Sequence, residues 1–220
     1  MKSIWAVVII SVISITIGYF ILKPTDKKEL PVLNPIDIDS DLADDEIERI
    51  GYGHTVQNFS FTDQNNKPFG SKELKGKIYV AEYFFTTCGT ICPIMNQQMQ
   101  RVQQKFKNNK EVQIVSVTVD PEHDSIPQLL AYAKAHGADN SQWHFLTGKK
   151  EDLYKLARKS LFLLKPAEVR NQGDVGNDFI HTNFFVLVDK HAQIRGFYDG
   201  TSEKAIGTLM EDIDLLLEEK

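Results

Sequence analysis

Hydrophobic and polar positions follow two different periods along this chain, and the switches between them mark out an α/β domain. Lys77 to Phe85 is an apolar run with no helical period, rich in β-branched and aromatic residues, and predicts a strand buried on both faces. Pro93 then suits the first turn of a helix, and Met95, Met99, Val102 and Phe106 continue at helical spacing. Val112 to Val119 repeats the buried-strand pattern. The connection back through the intervening helix is long enough for a right-handed crossover, so the two strands are expected to be parallel. Upstream, Phe59 to Phe69 alternates about the polar Asp63-Gln64-Asn65-Asn66 turn and predicts a hairpin. Downstream, Ile126 to His136 reads as a helix stopped at Gly137, Trp143 to Leu146 as a short strand, and Lys149 to Ser160 as another helix. A polar segment, Lys165 to Asp178, is expected to run over the surface. Phe179 to Asp189 and Gln193 to Tyr198 flank the turn Lys190-His191-Ala192 as a second hairpin, and Ala205 to Leu217 closes the chain as an amphipathic helix.

The first residues obey neither period. Ile4 to Leu22 is almost unbroken apolar sequence, long enough at about 1.5 Å per residue to cross a hydrocarbon layer of about 30 Å. Bulky Tyr19-Phe20-Ile21-Leu22 stands where a signal peptide would place small residues before its cleavage site, which favours an uncleaved anchor over residues 1–23. Lys2 before the run and Lys23, Lys27 and Lys28 after it leave the orientation open. Residues 24–53 carry Pro24, Pro31, Pro35 and an acidic run from Asp37 to Glu48, and read as a flexible, solvated tether. Residues 54–220 are then one globular domain, which the 42% hydrophobic content is sufficient to pack. A net charge of −5 and no Lys/Arg cluster exclude a nucleic-acid-binding face.

Both cysteines of the chain, Cys88 and Cys92, fall between the first buried strand and its helix. Ligand sites in parallel sheets lie beyond the carboxyl ends of the strands, where Cys88 and Asp120 both follow. Cys92 is expected at or near the helix N-cap, where the dipole favours negative charge and draws thiol pKa values from about 8.5 toward roughly 3.5 to 7.5. Thiolates at that point bind soft metals or attack disulfides. A structural disulfide across the loop is the bland alternative, although so short a loop gains little closure entropy. The order of elements, hairpin first and then β-α-β, helices and β-β-α, is that of a thioredoxin-like fold, here preceded by a single transmembrane helix.

Three stretches together resemble the Sco/SenC family of copper-binding assembly factors for cytochrome c oxidase. They are Thr87-Cys88-x-x-x-Cys92-Pro93, Ser116-Val117-Thr118-Val119-Asp120-Pro121-Glu122 with Asp124, and Phe179-Ile180-His181-Thr182 with Val188-Asp189. The resemblance runs from about Gly53 to the C-terminus. It implies copper ligands at Cys88, Cys92 and His181, a copper-bearing oxidase subunit or another copper protein as partner, and a single-pass location in a bacterial inner membrane with the domain on the periplasmic or extracytoplasmic side. Gly89 stands where the family commonly has proline, and His123 where it has arginine.

Soft thiolates with an imidazole suit Cu(I), and the same set tolerates Cu(II) with a further weak ligand. Structural zinc would want a fourth protein ligand. Three strong ligands also leave an ion open to a partner's thiolates, as a carrier requires. The expected role is therefore a metallochaperone, binding rather than turnover. The rival is a thiol-disulfide oxidoreductase using Cys88 and Cys92 to reduce the cysteines of a copper acceptor. Against it, the spacing is C-x-x-x-C, and Ile180-His181-Thr182 stands where such enzymes carry proline before the facing strand. His136 and His191 read as surface residues and His144 as a core or edge residue. Met95 and Met99 read as core, and Asp120 as a turn former or a partner of His181. His54 and His123 are open.

Overall fold

A computed structural model describes Trp5 and residues 11–16, 18, 29–37, 51–166, 179–181 and 183–219. Its centre is a seven-stranded sheet in the order β2-β1-β5-β4-β3-β8-β9. The strands are β1 Ser60–Asp63, β2 Pro68–Gly70, β3 Ile78–Phe84, β4 Val112–Thr118, β5 Trp143–Thr147, β8 Phe184–Val188 and β9 Ile194–Asp199. A separate two-stranded ribbon pairs β6 Leu164–Pro166 with β7 Phe179–His181. Helices α1 Ser71–Leu74, α2 Cys92–Lys105, α3 Ile126–Ala135, α4 Lys150–Leu156 and α5 Glu203–Glu218 connect or cover the strands.

The predicted core of the fold is present. β3 and β4 are parallel, with Ile78 opposite Val112 and Phe84 opposite Thr118, and α2 crosses between them. Both strands are buried at every residue, as two covered faces require. Because side chains alternate across a strand, β3 feeds two separate cores. Ile78, Val80 and Phe84 pack with Met95, Met99 and Val102 of α2, Leu129 of α3 and Leu209 of α5. Tyr79, Ala81 and Tyr83 pack on the other side with Leu153 and Leu156 of α4 and with Phe61 and Phe69 of the first hairpin. Met95 and Met99 are thus core residues.

The first hairpin extends the sheet by pairing β1 antiparallel to β5, with Asp63 opposite Leu146. Its turn is polar for two reasons. Asp63 Oδ1 accepts the N–H groups of Asn65 and Lys67, each at 2.9 Å, while Gln64 turns inward and is fully buried. The Gln64 amide prolongs the ladder, donating to Trp143 O and accepting the Phe145 N–H, both at 2.9 Å.

Three readings are revised. Phe179 to Asp189 is two strands rather than one: β7 leaves the sheet to pair with β6, so Lys165 and Pro166 of the supposed surface run are ribbon, and the rest of that run lies outside the described residues. The helix read from Lys149 to Ser160 is α-helical only to Leu156, after which Ala157–Leu161 forms a π turn. Phe162 follows in the left-handed region at φ 53°, and this turns the chain into β6.

The third revision concerns the tether. Within it, Leu30 is buried in the core, Pro35 is buried, and the Leu33 N–H donates to Ile194 O at 2.8 Å. Arg195 fixes this strap: its guanidinium donates to Leu30 O (2.6 Å), Pro31 O (3.2 Å), Asp189 (2.9 Å) and both carboxylate oxygens of Glu219 (2.8 and 2.9 Å). Removing one partner of a buried ion pair costs about 3 to 5 kcal/mol. Arg195→Met is therefore expected to lower urea-denaturation stability by about 3 kcal/mol, since it leaves Asp189, 4% exposed, with two backbone N–H donors but no cation. A loss below about 1 kcal/mol would show the clasp to be passive.

Of the predicted span, residues 11–16 are helical and the remainder, Trp5 and residue 18 apart, lies outside the described residues. Among the described residues no helix is long and apolar enough to cross a membrane.

Candidate metal centre

β3 ends at Phe84, whose carbonyl accepts the Val119 N–H at 2.9 Å, and the chain then leaves the sheet as the loop 85–91. Cys88 lies in this loop, its N–H bonded to Phe85 O at 3.2 Å. Cys92 is the first residue of α2, with Pro93 in the first turn where a missing N–H costs nothing. Both thiols are free. They face the core layer of α2, Cys88 at 9% and Cys92 at 1% exposure.

Their environments differ sharply. Burial alone would raise the Cys88 pKa, but hydrogen bonds from the Cys92 thiol and backbone and from Thr90 outweigh it and leave Cys88 below its ordinary value. Cys88 Sγ lies 3.7 Å from Thr90 Oγ1. Burial pushes the Cys92 thiol far up, reinforced by its hydrogen bond to Cys88 and by the nearby charges of Cys88 and Glu82. The acidic thiol expected of a helix start is therefore Cys88 in the loop, not Cys92 on the helix.

Beneath the pair sits Glu82, which a sequence reading as a buried strand passes over. It is 1% exposed, on the same face of β3 as Val80 and Phe84. It accepts the Ser116 hydroxyl at 2.6 Å, and Ser116 accepts the Trp143 indole N–H at 2.8 Å. Burial raises its pKa to about 7 against the pull of the Ser116 bond. The signal in the sequence is a lone carboxylate inside an apolar run.

β8 runs antiparallel to β3, with Val188 opposite Tyr79 and Val186 opposite Ala81. Its first residue, Phe184, therefore stands toward the end of β3 from which the cysteine loop departs. The His181 backbone comes three residues earlier, opposite Leu164 in the ribbon; its side chain lies outside the described ones. Among the described residues no three of His, Cys, Asp and Glu are grouped so as to hold a metal ion.

The other candidates have partners of their own. Asp120 holds His123 Nδ1 at 2.9 and 3.0 Å on an exposed turn, and this bond raises the His123 pKa. His54 is buried, with Nε2 at 2.9 Å from Ser160 O and its ring on Phe162. His144 is buried and stacked on Phe69 at 3.7 Å.

A dithiol where the first parallel strand of a thioredoxin-like sheet hands over to its helix defines the class of protein. Within that class the chain belongs to the SCO1/SenC family, whose family model matches residues 48–218. It is 32% identical over 163 residues to the SCO1 protein homolog of Bacillus subtilis, covering 73% of this chain and 81% of that one. It is 29% identical over 143 residues to a Stutzerimonas stutzeri protein described as copper-binding, covering 64% and 67%. Among solved structures, BsSco, described as a member of the Sco family of cytochrome c oxidase assembly proteins, superposes with a TM-score of 0.63 at 30% identity, over 76% of this chain and 95% of that one.

Proposed function

We propose that this chain is a membrane-anchored metallochaperone that carries copper on Cys88, Cys92 and His181 and assists assembly of the copper site of cytochrome c oxidase. The observation that carries the reading is the pair of free thiols at the rim of the sheet, one in the loop and one on the first turn of α2. Two free thiols that face the same core layer offer soft donors, and an imidazole completes a set suited to Cu(I). The S. stutzeri relative, described as copper-binding, and BsSco, described among oxidase assembly proteins, support the cargo and the acceptor. Residues 1–23 serve as the anchor, residues 54–220 as the copper-binding domain and residues 24–53 as the link, whose Leu30 and Leu33 are fastened to the domain. Exposed Val12, Ile13 and Ile15 suit a lipid-facing helix. The domain faces the periplasmic or extracytoplasmic side of a bacterial inner membrane, where the acceptor's copper site is assembled.

The unequal thiols favour a second reading, a thiol-disulfide oxidoreductase that reduces the acceptor's cysteines. Cys88, the more acidic, would attack the acceptor disulfide, and Cys92 would resolve the mixed disulfide, both electrons coming from this dithiol.

Titration of the reduced full chain with Cu(I) against a competing chelator separates the two. The chaperone requires one Cu(I) per chain, abolished by Cys88→Ala and weakened about 10- to 100-fold by His181→Ala. Binding indifferent to His181→Ala, with reduction of an acceptor peptide disulfide, would transfer the main role to the oxidoreductase.

A further inference from the structure

Where the β3 ladder stops, a carboxylate from the next strand's turn takes hold of the chain. Asp124 is 1% exposed and lies just before Ser125, the N-cap of α3. It accepts the Thr86 N–H at 3.2 Å on each carboxylate oxygen, the Thr86 hydroxyl at 2.5 Å, and the Thr118 hydroxyl. Thr118 Oγ1 in turn accepts the Asp120 N–H at 2.9 Å, and Asp120 O accepts the Asp124 N–H at 2.9 Å. The network therefore closes on itself and spans three pieces of chain: the cysteine loop, the end of β4 and the turn 120–124.

A buried acceptor-only group is costly unless its lone pairs are filled, and here donors arrive from both sides. Thr86 is two residues before Cys88, and Phe85, whose carbonyl takes the Cys88 N–H, is its neighbour. Cys92 is placed independently, by the first turn of α2. The position of one sulfur relative to the other thus depends on where Thr86 is held.

We propose that Asp124 is the positioning residue of the cysteine loop: by binding both the main chain and the hydroxyl of Thr86 to the end of β4, it sets how Cys88 meets Cys92. The consequence for metal binding rests on the copper reading; the consequence for the thiols does not. Asparagine at 124 keeps the shape but loses the charge and one acceptor oxygen, so the Thr86 N–H, which now lies 3.2 Å from both oxygens, and the Thr86 hydroxyl are held only by a single neutral amide oxygen and Thr86 is gripped less firmly.

The test compares Asp124→Asn, Thr86→Val and Thr86→Ser in the full chain. Leu74→Ala, in the opposite core layer, serves as a variant destabilised for an unrelated reason, at about 2 to 5 kcal/mol. Two quantities are read: the ratio of Cys88 to Cys92 labelling by limiting iodoacetamide, and the Cu(I) affinity. Asp124→Asn and Thr86→Val are expected to lower the labelling ratio roughly tenfold, as a freed loop uncovers Cys92. They are also expected to weaken Cu(I) binding about 10- to 100-fold. Thr86→Ser, retaining the hydroxyl, stays near wild type, and Leu74→Ala changes neither quantity. A wild-type labelling ratio in Asp124→Asn overturns the proposal, as does Leu74→Ala reproducing the loss. If Asp124→Asn fails to fold, the contrast of Thr86→Val with Thr86→Ser decides. If the wild-type chain takes up no Cu(I), the copper reading falls and the labelling ratio alone decides this one.

Discussion

Glu82→Gln is expected to stabilise the protein by about 3 kcal/mol at pH 8 relative to its effect at pH 4.5, turning a nearly level pH profile into one that falls toward acid. The Glu82 pKa stands at about 7 in the folded protein against 4.5 for an ordinary glutamate, because burial penalises the charged form. Between those values the folded state keeps a proton that the unfolded chain releases. Its contribution is whole below pH 4.5 and is lost as pH rises through 7. His144 works the other way. Burial outweighs Asp63, whose oxygen stands 3.8 Å from Nδ1, beyond hydrogen-bond length, and holds the His144 pKa at about 4 against an ordinary 6.5. Its contribution is present above pH 6.5 and is lost as pH falls through 4. Over the shared range the two slopes oppose each other. Each is worth about 3 kcal/mol in full, so removing either uncovers the other. Glutamine mimics the protonated acid beside Ser116, and His144→Gln should give the mirror-image profile, falling toward alkaline pH. Urea denaturation of the reduced, metal-free protein at half-unit steps from pH 4 to 8 measures both. If the gap between Glu82→Gln and wild type is the same at both ends, Glu82 does not carry the proton assigned to it.

At pH 7.5 a limiting amount of iodoacetamide is expected to label Cys88 in preference to Cys92 by at least about 100-fold. An ordinary thiol near 8.5 is roughly one-tenth thiolate at that pH. Cys88 lies below the ordinary value and Cys92 far above it. Exposure acts in the same direction, since Cys92 is 1% exposed. Burial works against the Cys88 thiolate, and the Cys92 thiol is first among the hydrogen bonds that overcome it. Cys92→Ala should therefore slow the reaction at Cys88 even though it removes the competing residue. Peptide mass spectrometry after a denaturing quench gives the ratio directly. Equal labelling would show that the two sulfurs share one environment, and would remove the nucleophile from the oxidoreductase reading.

Much of the fold was legible in the chain because its signals are local. The runs Ile78 to Phe84 and Val112 to Thr118 are apolar on both parities, and a strand with two buried faces must be so. Pro93 and the spacing of Met95, Met99 and Val102 place a helix directly after Cys92 for reasons contained within one turn. The cysteine loop at the end of a parallel strand follows from those two facts alone.

What tertiary structure alone decided depends on groups brought together from far apart in sequence. Leu30 and Pro31 look like tether until Arg195 supplies donors for their carbonyls. The run through His181 reads as one strand until Leu164 to Pro166 competes for its first half. Glu82 gives no local sign that its partners will be Ser116 and Trp143, nor Thr86 that its anchor will be Asp124. The helix dipole pointed to an acidic thiol at Cys92, whereas hydrogen bonding makes Cys88 the acidic one and burial holds Cys92 protonated. Periodicity records which face of an element is covered. Burial, hydrogen bonding and pKa depend on what covers it, and that is a property of the packed chain.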